Sequence, residues 1–134
     1  MSFVSDVTSV LLEGRRLAES LMTDTCTAKR VTGSTTDPLT GVETPTYTPL
    51  YTGRCKVQSA DPQEANPVAG GATYTVQRYT VHVPVGAFAV AIGDVFTITA
   101  ASLDALLVGR TYRVVALLHK THATAYRLAV EEGP

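Results

Sequence analysis

The strongest constraint in this sequence is a change of hydrophobic period at Asp24. Before this residue, apolar side chains recur every three to four positions, which is the period of an α-helix. After it, Thr, Val and Tyr dominate and apolar residues alternate with polar ones, as they do in β-strands. The sequence therefore predicts a helix within residues 1–23 and an antiparallel β domain over 24–134.

The predicted helix covers Phe3 to Met22 and has one apolar and one polar face. A glycine near the apolar face permits another backbone to approach closely. Such a face ordinarily covers the core of its own domain. In an assembly it can also pack between subunits, and the candidate interface residues are then Val7, Leu11, Gly14 and Ala18.

Turn signals divide the remaining chain into short strands. Segment 37–41 (Asp-Pro-Leu-Thr-Gly) predicts a turn, since proline presets φ and glycine allows a positive φ. Pro45 and Pro49 restrict the next segment to an edge strand or an extended loop. A long strand over 73–85 changes its inward-facing residues near Arg78, which predicts a bulge or bend. The whole pattern predicts a mainly β (α+β) fold, with six or seven antiparallel strands in a small barrel or sandwich.

Two long loops are predicted, at about 32–44 and at about 59–72. The second has little apolar periodicity and contains Asp-Pro, Asn-Pro and Gly-Gly pairs. In a compact domain, a stretch of this length without structure is usually functional or disordered.

Composition excludes several classes of protein. The 11 basic and 12 acidic residues give a net charge of −1, so the chain lacks the basic character of a duplex-binding protein. Hydrophobic residues make up 45% and charged residues 17%, which argues against wholesale disorder. No apolar run approaches the ~20 residues of a membrane helix, and no signal peptide is predicted. Cys26 and Cys55 are expected to be buried thiols, although a disulfide between neighbouring strands stays open.

No catalytic or cofactor motif is present in the sequence, so neither an active site nor a cofactor is predicted. His119 and His122 are close enough in sequence to share a metal, with Asp94, Asp104 or His82 as the third ligand. Surface or interface histidines are the better interpretation, and no metal site is predicted.

Nucleic-acid binding is an alternative of a different class. Tyr74, Arg78, Tyr79 and His82 follow one another along a predicted strand, as stacking residues do in oligonucleotide-binding barrels. However, Tyr79 and Arg78 should face opposite ways, and no basic cluster lies beside them in sequence. We therefore expect tyrosine in the core and arginine in solvent, with single-strand binding kept as an alternative.

After the N-terminal helix, a series of turn and strand segments follows in a characteristic order. These are 24–27 (DTCT), 36–41 (TDPLTG), 51–57 (YTGRCKV), 81–84 (VHVP), 92–95 (IGDV), 109–115 (GRTYRVV) and 119–125 (HKTHATA). In this order and combined length, the chain resembles the small neck proteins of long-tailed phages of actinobacteria, described as head-to-tail connectors or stoppers. The resemblance spans nearly the full chain.

The resemblance implies a structural virion protein without enzymatic activity. Such a protein forms a homo-oligomeric ring, six-fold or twelve-fold, between the portal or adaptor and the tail terminator. The ring closes the DNA channel after packaging, joins the head to the tail and encloses duplex DNA without sequence-specific binding. The implied location is the virion neck, assembled in the host cytoplasm and without membrane contact. A tail terminator or a head–tail adaptor remains an alternative within the same class.

A gate of this kind needs a flexible element, and the 59–72 loop, or alternatively the 32–44 loop, is the candidate to face the lumen or a neighbouring ring. The 59–72 loop is the preferred one. Its acidic residues would repel DNA phosphates, and its prolines would limit its conformations. The residues concerned are Asp61, Pro62, Glu64, Asn66, Pro67, Gly70 and Gly71.

Overall fold

The computed structural model describes residues 3–59, 63–65, 74–76 and 78–133. Within these ranges, helix α1 (Phe3–Ser20) precedes eight strands, and a short 3-10 helix (Ala105–Leu107) lies between the sixth and seventh. The strands are β1 (Asp24–Thr36), β2 (Glu43–Ser59), β3 (Gln63–Ala65), β4 (Tyr74–Val76), β5 (Tyr79–Val83), β6 (Val95–Ala101), β7 (Thr111–Leu118) and β8 (Tyr126–Glu132).

Six strands form a closed antiparallel barrel in the order β1-β2-β5-β8-β7-β6, and β6 pairs with β1 to complete it. The two shortest strands, β3 and β4, form a separate two-stranded sheet. Irregular register in the β1–β2, β1–β6 and β7–β8 pairs marks β-bulges, which increase the twist that a small barrel needs to close. The predicted fold class, a helix followed by a small antiparallel barrel, is confirmed.

The barrel interior is filled by side chains that alternate along the strands, as the period of two predicted. On β8, Leu128 and Val130 are buried whereas Arg127 and Glu131 are exposed. The largest fully buried side chains are those of Tyr112, Phe96, Ile98 and Leu128. Burying each large apolar side chain stabilises the fold by about 1.5–3 kcal/mol.

The predicted loop at about 32–44 is wrong: most of it is strand. β1 continues to Thr36 and β2 begins at Glu43, so a tight turn joins two paired strands. The turn was predicted correctly, and its Gly41 has a φ of +72°. The sequence predicted a loop here because these strands have no buried face and so show no alternation of apolar and polar residues. Their threonines favour an extended chain even in solvent.

Residues 30–49 of this hairpin extend beyond the barrel, and we call them the arm. Within the described residues, β1 pairs with β6 only as far as Lys29, and β2 pairs with β5 only from Lys56 onward. In the arm, β1 and β2 therefore pair only with each other. Pro45 and Pro49 accordingly lie on an edge strand, as predicted.

The predicted 59–72 loop also needs correction, because Ser59 belongs to β2 and Gln63–Ala65 forms β3. β3 pairs with β4, and this places the backbone of Glu64 opposite Thr75. The predicted strand over 73–85 is divided into β4 and β5, which belong to different sheets, near the bend expected at Arg78. The other candidate lumen residues lie outside the described residues: Asp61, Pro62, Asn66, Pro67, Gly70 and Gly71.

Candidate functional site

Helix α1 lies against the connection between β7 and β8. The Arg15 Nε donates a hydrogen bond of 3.1 Å to the Ala123 carbonyl. A Cβ added to Gly14 would lie only 3.0 Å from the Thr124 Cγ2. The close approach expected at this glycine is therefore present, but its neighbour is a side-chain methyl group rather than a backbone.

An apolar groove of about 460 Å³ runs between α1 and this connection, and we call it the helix groove. It remains open, since Val10 on its rim is 74% exposed. The structure thus brings together three of the four predicted helix-interface residues at one groove, whereas Ala18 lines another. The helix groove is lined by Asp6, Val7, Val10, Leu11, Gly14, His122 and Thr124.

A second groove, of about 480 Å³, lies between the C-terminal half of α1 and the outer face of the barrel. We call it the basic groove because Lys56, His82 and Arg127 line it. These residues are register partners across β2, β5 and β8. Burial, together with the charges of Lys56 and Arg127, lowers the pKa of His82 to about 4. Sequence reasoning missed this site, because strand register, not sequence spacing, brings the three side chains together.

The arm carries apolar side chains into solvent along its length. Leu39 at the turn is 93% exposed, and Val31, Val42 and Tyr47 are exposed as well. The Lys29 Nζ lies 4.0 Å from the Tyr47 ring centroid, a cation–π contact near the base of the arm. The arm is therefore a long ribbon whose polar and apolar side chains are exposed and do not pack in the barrel core.

An ion pair between the partly exposed Arg30 and the buried Asp94 joins the base of the arm to the barrel. The Arg30 Nε and Nη2 donate to the two carboxylate oxygens of Asp94, at 2.7 and 2.9 Å. The Ala91 backbone N–H donates to the same carboxylate at 2.8 Å, and Arg30 also reaches the Ala89 carbonyl. Asp94 is completely buried. This bidentate pairing holds the arm in a defined direction.

The connection between β6 and β7 exposes a further apolar group, at the end of the barrel where α1 meets β1. Leu103 and Leu106 are 85% and 77% exposed. The loop itself is held in place, because Asp104 accepts a hydrogen bond from the Leu106 N–H and Ser102 donates one to the Thr23 carbonyl. These leucines form a small fixed apolar surface.

The residues considered for a metal site do not come together. His122 lines the helix groove, His82 the basic groove, and the His119 ring packs edge-on against Tyr126. The carboxylates of Asp94 and Asp104 are used by Arg30 and by the 3-10 helix cap. Among the described residues, no group of three or more His, Cys, Asp and Glu side chains could hold a metal ion.

The two cysteines are free thiols inside the barrel. Both are fully buried, and they lie on the paired strands β1 and β2. A hydrogen bond between the thiols, with burial, raises the pKa of Cys55 well above its usual range. A thiol in this environment is a poor nucleophile.

The residues considered for nucleic-acid stacking do not share one accessible face. The Tyr79 ring packs against Tyr112 in the barrel, with a centroid separation of 5.5 Å. Arg78 is exposed, and His82 lies on the outer face in the basic groove. The expectation that Tyr79 packs in the core is confirmed. The side chain of Tyr74 lies outside the described residues.

Comparison with known proteins gives one match. The model of a family described as "Family of unknown function (DUF6093)" matches residues 14–131. No curated protein and no solved structure matches the chain. In the part of the chain that the structure describes, no helix has both the length and the apolar character needed to cross a membrane.

Proposed function

We propose that this chain, which belongs to the DUF6093 family of unknown function, is a structural protein of the neck of a long-tailed phage. It acts there as a head-to-tail stopper. It forms a homo-oligomeric ring between the portal or adaptor and the tail terminator, closes the DNA channel after packaging and joins the tail. We assign it no reaction and no cofactor.

The arm is the observation that carries this proposal. A two-stranded ribbon is marginally stable by itself, and a monomer gains little from projecting one into solvent. Here the ribbon is anchored by the bidentate Arg30–Asp94 pair and presents Leu39 and Val42 at its tip. An anchored arm with exposed apolar side chains suits contact with another subunit.

The distribution of exposed apolar surface supports ring formation. Closed rings use heterologous contacts, in which two different patches of one chain meet on neighbouring copies. The chain carries such patches at separate places: the arm, the helix groove, and the Leu103–Leu106 surface. Large apolar groups exposed together on a rigid domain are typical of protein interfaces.

The barrel interior and the net charge are consistent with the same role. Apolar side chains and the two thiols fill the interior, and the described grooves lie on the outer surface of the domain. A net charge of −1 provides little overall attraction for DNA phosphates, so DNA could pass a ring of such subunits without being held. These properties suit a tail terminator or an adaptor equally. The following experiment distinguishes the stopper, the terminator and the adaptor.

The test uses a phage that encodes this chain, with the gene interrupted by a stop codon and the protein supplied from a plasmid as the control. Without the protein, we expect heads that lose their DNA and free tails of normal length. Complemented particles should contain about six or twelve copies per neck. If the particles without the protein carry tails of irregular length, the protein is a tail terminator. If their filled heads fail to recruit the stopper, the protein is an adaptor. Tailed, DNA-filled particles without the protein, or hundreds of copies per particle, would overturn a neck function.

A further inference from the structure

We propose that the basic groove binds an acidic segment of a partner polypeptide, whose carboxylates lie on Lys56, His82 and Arg127 while its apolar side chains lie on the exposed leucines of the groove wall. The inference rests on the groove alone and does not depend on the proposed phage role. It concerns a surface distinct from the arm.

Strand register aligns the three basic side chains. Lys56 on β2 is the register partner of His82 on β5, and His82 is the partner of Arg127 on β8. Neighbouring strands lie about 4.8 Å apart, so the row spans about 10 Å on one face of the sheet. Gln58 lines the same groove, and its side-chain amide adds hydrogen-bond donors, whereas the Thr80 hydroxyl already donates to the Gln58 carbonyl. A carboxylate lying along this row can therefore meet several donors at once.

No carboxylate in the part of the chain that the structure describes compensates the charge of this row. Within the described residues, four arginines form ion pairs with carboxylates, namely Arg16, Arg30, Arg110 and Arg113. Lys56 and Arg127 form no ion pair with another described residue, and no acidic side chain of the described residues lines the groove. Like charges placed side by side repel each other, and a bound anion relieves that repulsion.

Burial and the same excess of positive charge lower the pKa of His82. Lys56 and Arg127 are the charged groups that line the groove with it, and together with burial they lower its pKa to about 4. The groove residues from α1, from the α1–β1 connection, from β7 and from the β7–β8 connection carry no titratable group: Ala18, Leu21, Met22, Leu118, Thr124 and Ala125. A carboxylate bound beside His82 would favour the imidazolium and raise this pKa.

The walls of the groove favour a polypeptide over DNA. Leu21 and Leu118 are 62% and 48% exposed beside the basic row, so a ligand must present apolar groups as well as anions. The volume of about 480 Å³ suits a few side chains, and α1 covers one side. A duplex presents its phosphates on a broad convex surface without apolar groups between them. A peptide in which acidic and apolar residues alternate matches both the row and the wall.

The test titrates the full chain with the hexapeptide LELELE, acetylated at its N-terminus and amidated at its C-terminus, and with LQLQLQ, blocked in the same way, as its uncharged match. NMR follows the His82 ring, which the His82→Gln variant assigns. We expect LELELE to raise the pKa of His82 by about one unit or more, and LQLQLQ to leave it unchanged. This comparison needs no groove variant, so it stands even if such a variant fails to fold. If LELELE leaves the His82 resonances unchanged, the inference is wrong.

Two double variants then locate the binding site. Lys56→Gln with Arg127→Gln removes two charges from the groove, whereas Arg16→Gln with Lys29→Gln removes two charges elsewhere. We expect the affinity for LELELE to fall at least about tenfold in the first and to change less than about twofold in the second. Equal losses would indicate general charge attraction and contradict the inference. A short DNA duplex that binds more tightly than LELELE, at the same salt concentration, would make the groove a nucleic-acid site instead.

Discussion

At the scale of single residues, the Asp94 carboxylate is the most constrained polar group of the barrel. It is fully buried and accepts hydrogen bonds from Arg30 and from the Ala91 N–H. The sequence suggested that Asp94 could be a third metal ligand, and it indicated no partner for it. Its partner Arg30 is 64 positions away, and only the closed barrel brings the two together. Long-range ion pairs of this kind cannot be predicted from local patterns.

We expect Asp94→Asn to lower the free energy of unfolding by about 2 kcal/mol, because the buried amide places an N–H donor where a carboxylate oxygen accepts from Arg30 or from the Ala91 N–H. Urea denaturation measures this. Glu131→Gln is the control, since it removes an exposed pair with Arg113 and should cost no more than about 1 kcal/mol. Similar losses in both variants would mean that the Arg30–Asp94 pair has no special role.

His82 should make stability depend on pH. Its pKa is about 4 in the folded chain against 6.5 in the unfolded chain, so between these values the unfolded state binds more protons. The free energy of unfolding should therefore fall as the pH drops from about 6.5 to about 4. The change should be about 1–2 kcal/mol, allowing for solvent screening of a half-buried group. His82→Gln should remove this contribution, and Lys56→Gln should weaken it. Identical pH profiles for wild type and His82→Gln would refute the assignment.

At the scale of elements, the sequence predicted the helix and the barrel strands well, because their buried faces impose a period. It failed at the arm, where no buried face exists and strand pairing alone maintains the extended chain, and it also missed the backbone pairing of β3 with β4. Of the candidate helix-interface residues, Val7, Leu11 and Gly14 share the helix groove, whereas Ala18 lines the basic groove. The hydrophobic period of the sequence predicts which face of a helix is apolar. Only the structure shows which residues of that face line each groove.

The contact between Gly14 and Thr124 can be measured by a double-mutant cycle. Gly14→Ala favours the helix by about 1 kcal/mol in isolation, but here it brings a methyl group to 3.0 Å from the Thr124 Cγ2. We expect Gly14→Ala to be more favourable by about 0.5–1 kcal/mol in a Thr124→Ser background, which lacks that methyl group. Thermal unfolding of the four proteins gives the coupling. Additive effects would show that α1 does not pack closely at this point.

Shortening the arm should separate assembly from folding. Deleting 33–36 and 43–46 removes four register pairs and keeps the turn, so the pairing of the remaining strands is preserved. All eight residues are exposed, and we expect the free energy of unfolding of the isolated chain to change by less than about 1 kcal/mol. Phage complemented with this variant should nevertheless fail to join heads to tails.

A full-length arm with Leu39→Ser and Val42→Ser is the matched variant for that deletion. If it assembles normally, the arm acts through its length or its backbone, and if it fails, the two apolar side chains are needed. Normal infectivity of the shortened arm would remove the main support for the proposed function.

At the scale of the whole molecule, barrel closure determines which residues become neighbours. Closure depends on pairs far apart in sequence, such as β1 with β6, and local patterns carry no information about them. The fold class followed from the order of periods, but the basic groove and the Arg30–Asp94 pair exist only once the sheet is closed. Under the proposed function, the outer surface of the domain contacts other proteins, and the barrel interior maintains the shape of that surface.

Because the barrel interior is closed, its structure predicts how the two thiols react. Cys26 and Cys55 lie on β1 and β2 inside the closed barrel, so a reagent reaches them only when these strands separate. Opening β1–β2 disrupts the core, and we expect both thiols to be labelled together, at the rate of global unfolding. Labelling with a thiol-specific reagent at pH 8, in increasing urea, measures this rate against unfolding followed by circular dichroism. Ser34→Cys, in the exposed arm, should react at once and serves as the positive control. Rapid labelling of Cys26 or Cys55 in the native protein would show that the barrel opens locally, and the assignment of a rigid interior would then be wrong.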